Sequence, residues 1–326
     1  TVLRFWGHEI QKEPEYCVSV VLDELRVFPV QPYRTIDLCA GIGGIRRGFE
    51  LTGQFVNVLS SEIDKYACRT YQHLYGDNPE NDLTSDEFKQ QVENTEYGVL
   101  LAGFPCQTFS VMGHQAGFDE DRGQMFFRIM DIIHARHPRY VLLENVKNLY
   151  RHDNGNTYAR IEQELQNEGY HVFPNIFNTV DFHLPQKRSR VLIFATTEAV
   201  PENFAEVFTP ENVKSLFDEN YERLGVSHYE TTLDVLEQHV EPKYFLSERL
   251  KPTILADGSA NFKSRSDINQ LIARTLTASM HKMHRACQDN YYSQDFIESN
   301  GEINHVLDYT KEQLAQLDIR KLTPQE

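Results

Sequence analysis

Between residues 34 and 200, apolar positions follow two alternating rhythms. Short runs rich in apolar and β-branched residues predict strands at 35–40, 55–61, 99–102, 140–143, 171–177 and 191–195. Apolar residues at helical spacing predict helices at 45–51, 64–75, 123–135 and 156–167. Strands that alternate with helices make βαβ units. The pattern therefore predicts an α/β fold, a doubly wound and mostly parallel sheet with helices on both faces.

The texture changes near residue 200. Residues 202–241 hold ten acidic residues against Lys214 and Arg223, and predict solvated helices and connecting segments. Residues 243–288 reverse the sign, with eight Lys and Arg against three acidic residues. Residues 1–33 carry no readable motif, and there is no internal repeat. The chain divides on this reading into an N-terminal extension (1–33), a catalytic region (34–200), an acidic connecting region (201–242) and a basic C-terminal region (243–326).

Four segments carry candidate chemistry. Asp37-Leu-Cys-Ala-Gly-Ile-Gly-Gly44 is a glycine-rich turn between a strand and a helix. Such a turn lets a ligand approach the backbone and presents helix N-terminal N–H groups. Glu62 ends the second strand, where a carboxylate is placed to bind ribose hydroxyls. The spacing is not GxGxxG, which argues against NAD. Gly103-Phe-Pro-Cys-Gln-Thr-Phe-Ser110 puts Cys106 on a loop at a strand's carboxyl end. Leu143-Glu-Asn-Val146 places Glu144 after the strand at 140–143, and Leu184-Pro-Gln-Lys-Arg-Ser-Arg190 is a compact basic loop. Taken singly, these segments also read as a tight turn, a buried thiol, a helix-capping Glu and a solvated basic turn.

Together, in this order, the four segments resemble the DNA (cytosine-5) methyltransferase family of the bacterial restriction–modification type. The resemblance is dense over 34–200 and thinner through Ala273-Arg-Thr-Leu-Thr-Ala278 to Arg320-Lys-Leu-Thr-Pro-Gln-Glu326. It implies a Rossmann-like, S-adenosylmethionine-dependent fold with a smaller target-recognition domain within 243–326. It also implies methyl transfer to carbon 5 of a flipped-out cytosine in a specific sequence of double-stranded DNA. In that scheme Cys106 is the nucleophile, Glu144 contacts ring N3 and the exocyclic amine, and Arg190 holds the O2 side. Arg188 orders the site and favours the Cys106 thiolate.

The same carry-over lines the cofactor site with Cys39, Gly41, Ile42, Gly44, Glu62, Ile63, Asp82, Leu83, Pro105 and Met125. Glu62 takes the ribose and Asp82 the adenine amine. Gln107, Ser110, Arg122 and Arg285 are the implied DNA contacts. The chain departs from the family pattern at Cys39, where Phe is usual, at Ile63, where Trp is usual, and at Ser189, where Glu is usual. The family's closing helix and Gly-Asn-Ser segment are not found by Glu326. The sequence is therefore expected to be C-terminally incomplete, or completed by a second polypeptide. A tRNA cytosine-5 methyltransferase and a non-catalytic DNA-binding or regulatory subunit are the competing readings.

Net charge first opposes this picture and then supports it. A formal charge of −16 argues against a phosphate-binding partner. Yet residues 122–190 hold ten basic against seven acidic residues, and 243–288 are basic too. The acid is concentrated at 202–241 and 289–319. A metal site at His281-Lys-Met-His-Arg-Ala-Cys287 is disfavoured, since zinc usually takes four ligands, and no metal is expected. Five widely spaced cysteines without a CxxC pair point to a reducing compartment. No signal-peptide pattern and no run near ~20 apolar residues is present. A cytoplasmic, nucleoid-associated protein without membrane attachment is expected.

Overall fold

The computed structural model describes residues 31–105, 124–258, 264–277 and 284–326, with Lys12, Tyr16 and Met280. Cys106, Gln107, Ser110 and Arg122 lie outside the described residues, as do nearly all of 1–33.

Strands β1 (Tyr33–Leu38), β2 (Phe55–Ser61), β3 (Val99–Gly103), β4 (Tyr140–Val146), β5 (His171–Asn178) and β7 (Ser189–Thr196) form one six-stranded sheet, in the order β2-β1-β3-β4-β7-β5. β1 runs parallel to both neighbours, with Ile36 opposite Leu59 and Leu100. The chain passes from β1 to one side for β2 and to the other for β3. Sheets with such a reversal usually bind their ligand beyond the carboxyl end of the strand where it occurs, here β1. The predicted helices appear as α1 (Gly44–Glu50), α2 (Lys65–Tyr75), α4 (Gln124–Arg136) and α5 (Asn156–Asn167).

One further helix, α3 (Asp86–Glu93), has only Phe88 and Val92 buried. Two apolar positions are too few to announce a helix by periodicity. Its start is set instead by Ser85, whose Oγ accepts the Phe88 N–H at 3.1 Å, and by Asp86 and Glu87 in the first turn. α2 is capped in the same way by Asp64, which accepts from Tyr66 and Ala67 N–H, and it ends at Gly76 with φ +79°.

The contacts divide the chain into two units. The first comprises residues 1–143, 159–172 and 194–199. Ile36, Leu38, Leu100, Leu101, Val141 and Leu143 from the strands are fully buried there, as are Ile129 and Ile133 from α4. Each such side chain contributes about 1.5–3 kcal/mol of hydrophobic stabilisation.

The second unit comprises residues 144–158, 173–193 and 200–326. It includes α6 (Pro210–Asp218), α7 (Gln294–Glu298) and α8 (Lys311–Leu314). Its strands beyond the main sheet are short: β6 (Gln186–Lys187) pairs in parallel with β8 (Ala273–Arg274), and β9 (Tyr291–Ser293) pairs antiparallel with β10 (Ile319–Lys321). Two small apolar clusters fill it, one around Ile254, Leu255, Ile268, Tyr291 and Ile319, the other around Tyr292, Phe296 and Ile297. Among the described residues, no helix is long and apolar enough to cross a membrane.

Candidate active site

In the first unit, the glycine turn after β1 is bound to the end of β2. Ala40 N–H donates to the Ser61 carbonyl at 2.9 Å, and Cys39 N–H to Ser61 Oγ at 3.3 Å. Glu62 then closes the turn. Its Oε2 accepts the Gly41 N–H at 2.7 Å, and its Oε1 accepts the Ile63 and Asp64 N–H groups at 2.8 Å each. A carboxylate has about four acceptor directions, so these three bonds fix Glu62 while leaving acceptor capacity.

Gly41 and Gly43 have φ of +58° and +82°, a region costly for residues with a Cβ. Gly43 is needed for space as well. A Cβ there would meet Tyr75 Cε2 at 2.4 Å and Tyr71 Cε2 at 2.9 Å. Tyr75 Oη donates to the Gly43 carbonyl at 2.7 Å. The buried Arg46 guanidinium lies 4.1 Å from the Tyr75 ring centroid and pairs with Glu50 and Asp77. Sequence reasoning missed this Tyr71–Tyr75–Arg46 brace. Tyr71 and Tyr75 at i,i+4 on α2 are the visible signal, but their partner lies a helix away.

The outer side of the same turn is open. Among the described residues, a Cβ at Gly41 or Gly44 would meet no atom within 4 Å. Ile42 and Ile63 are exposed apolar side chains, and Asp82 is exposed at the start of the segment leading to α3. Its Oδ1 accepts from Thr84 N–H and Oγ1. Leu83 is buried. Pro105 is exposed just past β3, and Met125 is half-buried on α4. Backbone open to a close approach, a fixed carboxylate with spare acceptor capacity and exposed apolar side chains are features that would suit an adenosyl group.

Two further groups sit beneath the turn. Asp37 is 1% exposed, and the Arg46 backbone N–H is weak compensation for its buried carboxylate. Burial pushes its pKa up to about 7, against the lowering effect of the Arg46 charge. Burial also raises the Cys39 thiol to about 12, helped by Glu62 and Asp37. Both effects disfavour the Cys39 thiolate.

In the second unit, Glu144 and Arg190 come together from neighbouring strands. Arg190 Nε lies 2.8 Å from Glu144 Oε1, and each side chain is only 22% exposed. Glu144 lies within β4, which runs on to Val146, where the apolar run alone placed it just beyond a strand ending at 143. Arg188 is half-buried, its N–H donating to Asn178 Oδ1 at 3.1 Å. Burial and the neighbouring Arg190 charge lower its pKa. Asn178 holds this loop, and no sequence pattern pointed to it. Arg285 is turned inward, bonded to Thr277 Oγ1 and 3.2 Å from Asp289 Oδ1.

The family model for C-5 cytosine-specific DNA methylases matches residues 33–326. The chain is 42% identical over 226 residues to Type II methyltransferase M.NgoBI of Neisseria gonorrhoeae, covering 69% of this chain and 64% of that protein. To Type II methyltransferase M.HaeII of Haemophilus aegyptius it is 41% identical over 224 residues, covering 68% and 64%. The aligned part of the chain thus spans just under two-thirds of each relative's length. Among solved structures, the Entamoeba histolytica methyltransferase EhMeth superposes with a TM-score of 0.64 at 16% identity, over 90% of this chain and 84% of that one. The S. pombe Dnmt2 methyltransferase gives 0.64 at 18%, over 88% and 83%. At these identities the structural matches speak for the fold.

Proposed function

The chain belongs to the C-5 cytosine-specific DNA methylase family, and on that premise we propose that it methylates carbon 5 of a cytosine in a specific sequence of double-stranded DNA. The setting is bacterial restriction–modification in the cytoplasm. The observation that carries the chemical reading is the Glu144–Arg190 pair. A carboxylate and a guanidinium held 2.8 Å apart on adjacent strands present one acceptor and one donor array side by side. That suits the N3 and O2 edge of a cytosine ring.

The target base leaves the stack, because a reacting atom inside a duplex is out of reach. The Cys106 thiolate adds to ring carbon 6, the ring electrons move toward N3, and Glu144 supports the proton taken up there. Carbon 5 thereby becomes nucleophilic. Arg190 holds O2, and Arg188 favours the thiolate by its charge. S-adenosylmethionine, when bound, supplies an electrophilic methyl group; Gly41, Ile42, Gly44, Glu62, Ile63, Asp82, Leu83, Pro105 and Met125 would hold it. Loss of the carbon 5 proton and elimination then free Cys106. Gln107, Ser110, Arg122 and Arg285 are proposed DNA contacts, Arg285 on release from Asp289. A second polypeptide has no support among the relatives and is not part of the proposal.

The test uses duplex DNA containing 5-fluorocytosine and labelled S-adenosylmethionine. Fluorine at carbon 5 blocks proton loss, so the enzyme is expected to be trapped as a covalent adduct, absent in Cys106→Ala. Trapping on tRNA but not DNA overturns the substrate, and DNA binding without an adduct overturns catalysis.

A further inference from the structure

Outside that site, the first unit holds a cluster that the proposed reaction does not use. His134 lies on the last turn of α4, His137 directly follows the helix, and Glu168 directly follows α5. His134 Nδ1 is 2.9 Å from Glu168 Oε1, and His137 Nε2 is 3.6 Å from Glu168 Oε2. One ligand atom from each of the three lies within 4.8 Å of the others.

We propose that His134, His137 and Glu168 form a binding site for a divalent transition-metal ion, with zinc the best match. Two imidazoles and one carboxylate are a donor set that zinc takes when water completes a tetrahedron. Ligand atoms about 2.0–2.1 Å from such an ion lie about 3.4 Å from one another. The two imidazoles lie 2.9 and 3.6 Å from the two Glu168 oxygens, either side of that spacing, and the three ligand atoms lie within 4.8 Å of one another.

The backbone holds these residues in place without the ion. His137 N–H donates to the Ile133 carbonyl at 2.8 Å, and its φ is +42°. This left-handed position is uncommon outside glycine and turns the chain sharply at the end of α4. Tyr170 is buried, and its Oη donates to the Pro138 carbonyl at 2.6 Å. One bond thereby joins the residue after His137 to the residue two past Glu168. Two helix carboxyl ends also converge here, and their carbonyl dipoles favour a cation. Arg136, between the two histidines in sequence, donates to the Glu93 and Thr95 carbonyls. Glu168 is only 21% exposed while both imidazoles are more open, so an ion has an entry path over an already shielded carboxylate.

The experiment is calorimetric titration of zinc chloride into the metal-stripped full chain, repeated with Co²⁺ to read coordination by visible absorption. A site that loses at least tenfold in affinity in His134→Ala/His137→Ala, with the tetrahedral Co²⁺ bands lost as well, is expected. Glu168→Gln, which keeps a hydrogen-bond acceptor, should weaken zinc binding similarly while leaving far-ultraviolet circular dichroism unchanged. His284→Ala/Cys287→Ala controls for thiol and imidazole ligands elsewhere and should leave the affinity unchanged. Zinc affinity retained in the His134→Ala/His137→Ala variant overturns the site. So does affinity lost instead in the His284→Ala/Cys287→Ala control.

Discussion

Asp37 and Glu326 are both carboxylates withdrawn from water, one beneath the glycine turn of the first unit and one in the second unit, and they titrate in opposite directions. Asp37 is 1% exposed, and burial outweighs the Arg46 charge and backbone N–H that favour its ionised form, raising it from 3.8 to about 7. The Glu326 side chain is fully buried against an equally buried Arg320. Burial also pushes Glu326 upward, but hydrogen bonds from Arg320 and from the Thr323 and Glu237 N–H groups outweigh it, and its pKa falls below 4.5. The Arg320 guanidinium meets both Glu326 oxygens, at 2.5 and 2.8 Å, and donates to the Glu237 carbonyl. Burial makes a charge expensive, and the partners decide which protonation state is favoured.

The two carboxylates therefore contribute to stability with opposite pH dependence. The stabilising contribution of neutral Asp37 is complete below 3.8 and is lost as pH rises through about 7. The contribution of ionised Glu326 is present above 4.5 and is lost as pH falls through its lowered folded-state value.

The largest expected effect comes from breaking the paired member. Glu326→Gln leaves Arg320 charged, buried and short of a counter-ion, at a cost of about 3–5 kcal/mol. Replacing both, as Arg320→Met/Glu326→Leu, should cost much less. Urea unfolding monitored by circular dichroism checks both, and a double variant as unstable as the single one would remove the pairing argument.

Asp37→Asn acts through pH. It should flatten the dependence of stability by about 1.4 kcal/mol per pH unit between roughly 4 and 7. Unfolding midpoints collected from pH 4 to 8 read this slope, and parallel wild-type and variant curves contradict the assignment. The smallest effect is the control. Ser85→Ala removes a half-buried helix cap in the same unit as Asp37 and should cost about 1 kcal/mol at every pH; a cost that varied with pH would show that the slopes do not isolate Asp37.

Most of the main sheet was legible because its strands are apolar runs of five to eight residues. The glycine turn, Glu62, Glu144 and Arg190 were legible as types at strand ends, where α/β sheets place ligands. What joins them was not. The Gly41–Glu62 bond spans 21 residues, and the Glu144–Arg190 pair depends on β4 and β7 being neighbours, which follows from topology and not from spacing. The second unit was least legible. Its β6, β8, β9 and β10 have two or three residues each, below any readable period. Arg320 and Glu326 could be quoted as part of one segment, but their burial against each other requires the folded chain.

Cys39 has a consequence for chemical labelling. With its thiol raised to about 12, very little of it is thiolate near neutral pH, and the thiolate is the reactive form. Burial raises the Cys68 thiol as well. A cysteine-directed alkylating reagent near neutral pH should therefore pass over both. Mass-spectrometric footprinting of the other thiols can then proceed with little background from the glycine turn, even though that turn carries a cysteine of its own.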